Sequence, residues 1–305
     1  MTANLDNRPT LLLGASGFFG PALLEAFGES GAVATHFSRA GAGSLHFDAR
    51  STPITDIVSR IPSRPAAAII LFGITRIDDC ARNPSGTAEV NVRGVIRVIE
   101  ELRTLEVMPV FASSDAVFDG SRALWSEDDE TNPILEYGRQ KLAVERYLSS
   151  LSPPWLVVRL PKLLAPGYNP RCMITAWAEA LGREDRILCA TDQYFTPVAA
   201  PDAAQAIAML VRDRAQGLFH LGGPERLNRR ALLGEVIDEY RRFAEPRADV
   251  VECSLRDIPV FEPRPLDTSL RSDRFASRFA YRFRAASAVA RTAIQAFFTS
   301  GAAKG

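Results

Sequence analysis

Short apolar runs alternate with amphipathic stretches through the first half of the chain. Thr10-Leu11-Leu12-Leu13 is apolar until Gly14 stops it, as a buried parallel strand reads. Ala32–Phe37 reads as a second strand, Leu45–Asp48 as a third, and Ala66–Phe72, stopped by Gly73, as a fourth. Val107–Ala112 leads into Ser113-Ser114-Asp115, and Val157–Pro161 follows. Between them lie helical patterns over Pro21–Phe27, Pro84–Glu106 and Asn132–Ser150; the second carries Val90, Val92, Val95, Ile96, Ile99 and Leu102 on one stripe. Strand and helix alternating over about 160 residues predict an α/β fold: a Rossmann-type, doubly wound parallel sheet.

The second half is less regular. Pro166–Arg171 reads as a loop, Met173–Gly182 as a short helix, and Pro201–Arg212 as a helix with proline in its first turn. Asn228 is placed to cap a helix through Arg242, whose apolar face carries Leu232, Leu233, Val236, Ile237 and Tyr240. After Glu245 come Pro246, Pro259, Pro263 and Pro265, read as an extended cover segment. Val289, Ala293 and Phe297 are spaced as one face of a last helix, suited to packing on the core or on a second subunit; its basic residues also allow a membrane surface. The expected division is a cofactor-binding domain over 1–163 and a smaller substrate-binding domain over 164–305, with about 194–221 returning to the first. There is no internal repeat.

Composition narrows the function classes. With 305 residues, 47% hydrophobic and 24% charged, the chain can bury a large core. Lys+Arg and Asp+Glu are both 36, which argues against bulk nucleic-acid binding. Cys80, Cys172, Cys189 and Cys253 show no metal-ligand spacing, and with three histidines no metal site is expected. Met1–Pro9 has no apolar signal segment and no run is long enough to span a membrane, so the reading is a cytoplasmic protein with reduced cysteines.

Two stretches carry candidate chemistry. Gly14-Ala15-Ser16-Gly17-Phe18-Phe19-Gly20 lies between a strand and a helix, the context of a dinucleotide-binding turn. Gly14 suits the tight turn, Gly17 the approach of a pyrophosphate, and Gly20 close helix packing, with the helix N-terminus facing the anion. The same order also occurs as a turn without ligand. The second stretch is Tyr137-Gly138-Arg139-Gln140-Lys141, in which Tyr137 and Lys141 share a helix face. An ammonium about 4 Å from a phenolate is worth up to about 4 kcal/mol at an effective dielectric of about 20. The spacing therefore predicts a phenol acidified toward neutrality, able to exchange a proton with an alcohol or sugar oxygen. A tyrosine at a helix edge beside a solvated lysine has the same spacing. Ser114 and Asp115 end a strand at the sheet edge where ligands bind, or cap backbone groups there. At the end of the second strand stand Ser38 and Arg39 in place of an acid, which leans toward NADP over NAD, although Arg39 also reads as a solvated cation. Asp48 falls near the adenine side.

Together the G-x-x-G-x-x-G turn, Ser114, Tyr137 and Lys141 resemble the extended short-chain dehydrogenase/reductase superfamily. Ser113–Gly120 resembles the S-T-D-Y-V-F-D-G segment of the dTDP-4-dehydrorhamnose reductase family, and Asp192–Pro197 its D-Q-x-G-x-P-T segment. Gly217–Gly223 resembles its G-I-Y-H-x-x-G strand, and Arg264–Leu270 gives a faint echo. The resemblance covers about Thr10 to Tyr240. It departs at Phe18-Phe19, at Ala116 in place of a tyrosine, and at Leu71–Thr75.

The resemblance implies an NAD(P)-dependent reductase acting on a keto group of a nucleotide-activated deoxysugar or related carbonyl. Ser114, Tyr137 and Lys141 are its catalytic residues. The glycine turn with Ser16, Phe18 and Phe19, together with Ser38, Arg39, Asp48, Gly73, Tyr137, Lys141 and Leu160, holds the cofactor. Ser114, Asp115 and Arg171 meet the substrate, Arg171 through a phosphate or else as a plain surface cation. Asn91 matches the family's supporting asparagine. Family dehydratases carry Asp-Glu after the catalytic hydroxyl; Asp115-Ala116 here argues against that reaction. An epimerase with tightly bound NAD and a non-catalytic NADP-binding regulatory subunit share the scaffold, and a homodimer is compatible with it.

Overall fold

The computed structural model describes residues 8–28 and 30–301. The leader expectation for the extreme N-terminus falls mostly outside them. The chain divides into two compact units. The first comprises residues up to Val117, Thr131–Arg159 and Ala204–Phe219; the second comprises Phe118–Glu130, Leu160–Ala203 and His220 onward.

Up to Leu160 the strands are β1 (Thr10–Leu13), β2 (Ala32–His36), β3 (Leu45–His46), β4 (Ala67–Ile70), β5 (Met108–Ser114) and β6 (Leu156–Leu160). The helices are α1 (Gly20–Phe27), α2 (Ile54–Val58), α3 (Ile77–Arg82), α4 (Pro84–Ala88), α5 (Val95–Thr104) and α6 (Glu136–Ser149). Further on come α7 (Met173–Leu181), α8 (Ala200–Arg212), α9 (Arg229–Tyr240), α10 (Asp273–Arg278) and α11 (Ala286–Thr299). They are interleaved with β7 (Leu163–Leu164), β8 (Arg186–Ala190), β9 (Tyr194–Phe195), β10 (Val198–Ala199), β11 (Gly217–His220), β12 (Leu227–Asn228) and β13 (Asp249–Cys253).

Seven strands form one sheet in the order β11–β6–β5–β4–β1–β2–β3. The pairs β1–β2, β1–β4, β4–β5 and β2–β3 are parallel, with Leu12 opposite both Ala34 and Ile69. This is the doubly wound arrangement the sequence predicts, and its order reverses between β1 and β4. β1 and β4 are buried along their whole lengths, which is why they read as unbroken apolar runs. Leu11, Ile70, Phe111, Ile99, Val98 and Leu148 belong to one core that packs α5 and α6 on the sheet.

Two predicted helices differ in detail. The Pro84–Glu106 pattern is a helix with a π-helical segment, Glu89–Gly94, between α4 and α5; Val98, outside the predicted stripe, is fully buried. The helix expected from Asn132 starts at Glu136, because Leu135 ahead of it is extended at φ −95°, ψ 142°. Tyr137 consequently lies in the first turn.

In the second unit, β13 pairs in parallel with β8, β10 with β7, and β12 antiparallel with β9. The stretch after Glu245 is therefore not only a cover: it contributes β13, a 3₁₀ turn at Leu255–Asp257, and α10. Asn228 caps α9, its Oδ1 accepting from the Ala231 N–H at 2.7 Å. Val289, Ala293 and Phe297 of α11 are buried, and Tyr240 of α9 meets Phe298 at 5.0 Å between ring centres. The last helix packs on its own unit. Among the described residues no helix is long and apolar enough to cross a membrane, and no cluster of three or more potential metal ligands occurs.

Candidate active site

The glycine turn follows β1 and leads into α1, with Pro21 in its first turn. Gly14 has φ +88°, and a β-carbon there would stand 2.8 Å from the Phe72 nitrogen; only glycine lets the turn pass beside the end of β4. Thr35 braces this turn. Its Oγ1 accepts from the Gly14 N–H at 3.0 Å, and its carbonyl accepts from the Ala15 N–H at 2.9 Å. Phe19 is the buried residue before α1, Gly20 opens the helix, and Phe18 is half-buried.

Beside the turn lies a cavity of about 360 Å³, at the carboxyl ends of β1 and β4 where the strand order reverses. Of the residues singled out for a cofactor, Gly14, Ser16, Gly17, Arg39, Asp48 and Gly73 line it. Ser38 is exposed next to Arg39 and does not line it. Phe37, 54% exposed, and Arg50 also line the cavity. Asp48 is not free: Arg50 grips it through Nε at 3.0 Å and Nη2 at 2.8 Å, and this pairing holds the carboxyl below its ordinary pKa. The Arg50 guanidinium stands 5.6 Å from the Phe37 ring centre.

The proton-transfer candidates converge in the same unit. Ser114 ends β5, Asp115 opens a 3₁₀ turn, and Tyr137 and Lys141 lie one turn apart on α6. Gly138 makes the approach possible, since a β-carbon there would sit 2.0 Å from the Ala116 carbonyl oxygen. The Ser114 hydroxyl donates to Asp115 Oδ1 at 2.9 Å and accepts from the Ala116 N–H at 3.1 Å. It is also hydrogen-bonded with the Tyr137 phenol. Lys141 Nζ donates to the Ala112 carbonyl at 2.8 Å, 4.5 Å from the Phe111 ring centre and 5.7 Å from that of Tyr137.

The acidified phenol is not what the structure shows. Burial pushes the Tyr137 pKa well above its ordinary 10.0, the Asp115 carboxylate adds to this, and the bond with Ser114 only partly offsets it. Burial also pulls Lys141 down to about 8, opposed chiefly by Glu145. In water-poor surroundings the cost of a charged form outweighs a cation that is turned toward a backbone carbonyl. Tyr137 is therefore held as a protonated donor.

A buried scaffold supports these residues. Arg159 of β6 donates to both Glu145 oxygens, with Nη2 to Oε2 at 2.7 Å, and Ser113 Oγ donates to Glu145 Oε1. Asn91, in the π-helical segment, ties the loop after β4: its Oδ1 accepts from the Ile74 N–H at 2.7 Å and its Nδ2 donates to the Ile74 carbonyl at 2.9 Å.

Residues 8–298 match the RmlD substrate binding domain family. The chain belongs to that family. It is 26% identical over 251 residues to a dTDP-4-dehydrorhamnose reductase of Sinorhizobium fredii, covering 79% of this chain and 83% of that protein. It is 27% identical over 164 residues to the methionine adenosyltransferase 2 subunit beta of Bos taurus, covering 52% and 48%. A crystal structure of dTDP-4-dehydrorhamnose reductase from Bacillus anthracis in complex with NADP shares the fold, with a TM-score of 0.79 at 19% identity over 96% of this chain and 99% of that one. The family membership confirms the resemblance drawn from the glycine turn and the Ser-Tyr-Lys pattern.

Two expected site residues belong to the second unit. Leu160 is buried at the end of β6, and Arg171 is exposed ahead of α7, its N–H donating to Asn169 Oδ1 at 3.0 Å. Thr35, Arg50, Gly138 and Gln140 escaped the sequence reading. Gly138 alone carried a local signal, a glycine inside a helical pattern.

Proposed function

We propose that the chain is an NAD(P)-dependent oxidoreductase of the extended short-chain dehydrogenase/reductase type that reduces a keto group on a nucleotide-activated deoxysugar or related carbonyl. The observation that carries the reading is the gathering of Ser114 at the end of β5 with Tyr137 and Lys141, one turn apart on α6, in the unit that holds the glycine-turn cavity.

The cavity suits a nicotinamide dinucleotide. It has a glycine-lined approach beside the turn that leads into α1, and an arginine just beyond the end of β2. Gly14, Ser16 and Gly17 would hold the phosphates, and Arg39 a 2′-phosphate, so NADP is favoured over NAD. When bound, the cofactor supplies the hydride. The chain's own groups handle the oxygen that becomes an alcohol. Ser114 orients it, Tyr137 gives it a proton, and Lys141 holds the adjoining ribose. A phenol that stays protonated across the physiological range is always ready to donate. As the phenolate forms, the Lys141 ammonium offsets part of its charge. Arg171 of the second unit is assigned to a substrate phosphate.

Tyr137→Phe tests this. Turnover of a dTDP-4-keto-6-deoxysugar with NADPH falls about 10²- to 10⁴-fold, the usual worth of a general acid, while the cofactor dissociation constant stays within about threefold because no group assigned to the phosphates changes. Unchanged turnover would remove the assignment. The similarity to the methionine adenosyltransferase beta subunit favours a second reading, a cofactor-binding regulatory subunit. A stable complex with a partner enzyme, with no turnover on any keto-sugar tried, selects it. A thermal-shift series with NAD, NADP and nucleotide sugars reads binding directly, because a ligand of the folded state raises stability by RT ln(1 + [L]/Kd).

A further inference from the structure

The Gln140 side chain is buried at 3% exposure, between Tyr137 and Lys141 in sequence, and has no part in the mechanism above. Its amide is nonetheless fully engaged. Nε2 donates toward Thr87 Oγ1 at 2.9 Å, Glu136 Oε1 at 3.0 Å and the Pro84 carbonyl at 3.3 Å. Oε1 accepts from Asn91 Nδ2 at 2.7 Å.

These bonds have a direction. The acceptors around Nε2 decide which end of the Gln140 amide faces Asn91, because Thr87 Oγ1 spends its own proton on the Asn83 carbonyl at 2.9 Å. Gln140 Oε1 then calls for the N–H end of the Asn91 amide, which leaves Asn91 Oδ1 facing the Ile74 N–H. The chain of amides ends at the Gly73–Ile74 loop, which lines the glycine-turn cavity. That loop is closely held: a β-carbon on Gly73 would stand 3.0 Å from Asn91 Oδ1. At its other end the chain starts on the helix of Tyr137 and Lys141. Asn91 lies in a π-helical segment, a departure from α-helix that often marks functional sites.

We propose that Gln140 is a positioning residue that locks the Gly73–Ile74 wall of the cofactor cavity to the helix bearing Tyr137 and Lys141, so that cofactor binding and alignment of the proton donor are coupled. The inference rests on the cofactor reading above. A continuous polar chain with every amide oriented holds its two ends in one register. Misplacing a reacting group by about 1 Å costs about 10²-fold in rate. A partial loosening is expected to cost less.

Gln140→Met keeps the side-chain length and removes both ends of the amide. The dissociation constant for NADPH rises about tenfold and kcat falls about tenfold, while KM for the keto-sugar stays within twofold. Thr87→Val is isosteric and gentler; it removes an acceptor of Nε2, keeps the protein folded, and shifts the NADPH constant about threefold in the same direction. Combining the two adds nothing to Gln140→Met alone, because both act through one amide. A lower melting temperature with unchanged NADPH affinity and kcat in Thr87→Val and in any folded Gln140→Met would overturn the coupling, and so would effects that multiply in the double variant. If the wild-type protein binds neither NADPH nor NADH, the cofactor reading falls and this inference with it. If the wild type binds and the variants match it, this inference alone falls.

Discussion

The glycine-turn cavity and the Ser114–Tyr137–Lys141 cluster lie in the same unit but are built in different ways. The cavity wall combines a glycine turn and apolar side chains such as Phe37, Leu71 and Val90 with the charges of Arg39 and an Asp48–Arg50 pair in which the arginine side chain is 57% exposed. The Ser114–Tyr137–Lys141 cluster is made of buried or half-buried side chains whose donors and acceptors are paired. Solvent screens the exposed charges, so each contributes modestly and tolerates change. Burial raises the cost of every unpaired or misplaced group, so single-atom changes there have large effects. The contrast teaches that substitutions of the solvent-screened charges at the cavity are tolerated better than substitutions in the paired interior around Tyr137 and Lys141.

The sharpest way to break the contrast is Gly138→Ala. The added methyl meets the Ala116 carbonyl, so α6 must move away from the end of β5. Overpacking of this kind costs about 1–3 kcal/mol in stability, and the displaced phenol loses about 10²-fold or more in turnover. Circular-dichroism melting and steady-state kinetics read both. Retained activity would show that Tyr137 and Ser114 need no close approach.

A smaller effect concerns Lys141. With its pKa at about 8, the free protein carries the ammonium below that pH and loses it above. The pH profile of kcat/KM, which reports the free enzyme, then falls about tenfold per pH unit above about 8, and Lys141→Met has no such limb. The stability sign is opposite. Burial lowers the pKa from 10.5, so between pH 8 and 10.5 the unfolded chain binds more protons at this group and its contribution to stability grows with pH. An alkaline loss of activity accompanied by a lysine-dependent loss of stability would contradict the assignment.

The smallest effect belongs to the exposed wall. Arg39→Ala weakens NADPH by about tenfold, the low end for a charge-assisted hydrogen bond, and leaves NADH within twofold. Equal effects on both cofactors would remove Arg39 from the 2′-phosphate.

Legibility follows the same division. The glycine turn could be read because its requirements are local: an apolar strand, a positive-φ glycine and a helix start within about ten residues. The Tyr137–Lys141 spacing could be read because one helical turn is a fixed geometry. The second unit was harder. Its paired strands β7, β9, β10 and β12 are two residues long, too short for periodicity. β13 pairs with β8 some sixty positions earlier and is half-exposed, so neither alternation nor an apolar run marks it.

By itself the sequence determined the doubly wound sheet, the place of the glycine turn and the face shared by Tyr137 and Lys141, because backbone sterics and helical period act between near neighbours. Only the tertiary structure decided that Thr35 braces the turn, that Gly138 admits the helix to the end of β5, and that Gln140 reaches Asn91. It also reversed the expected acidity of Tyr137. Acidity depends on how much water the fold leaves around a group and which way its partners point, and neither quantity is carried by residue spacing.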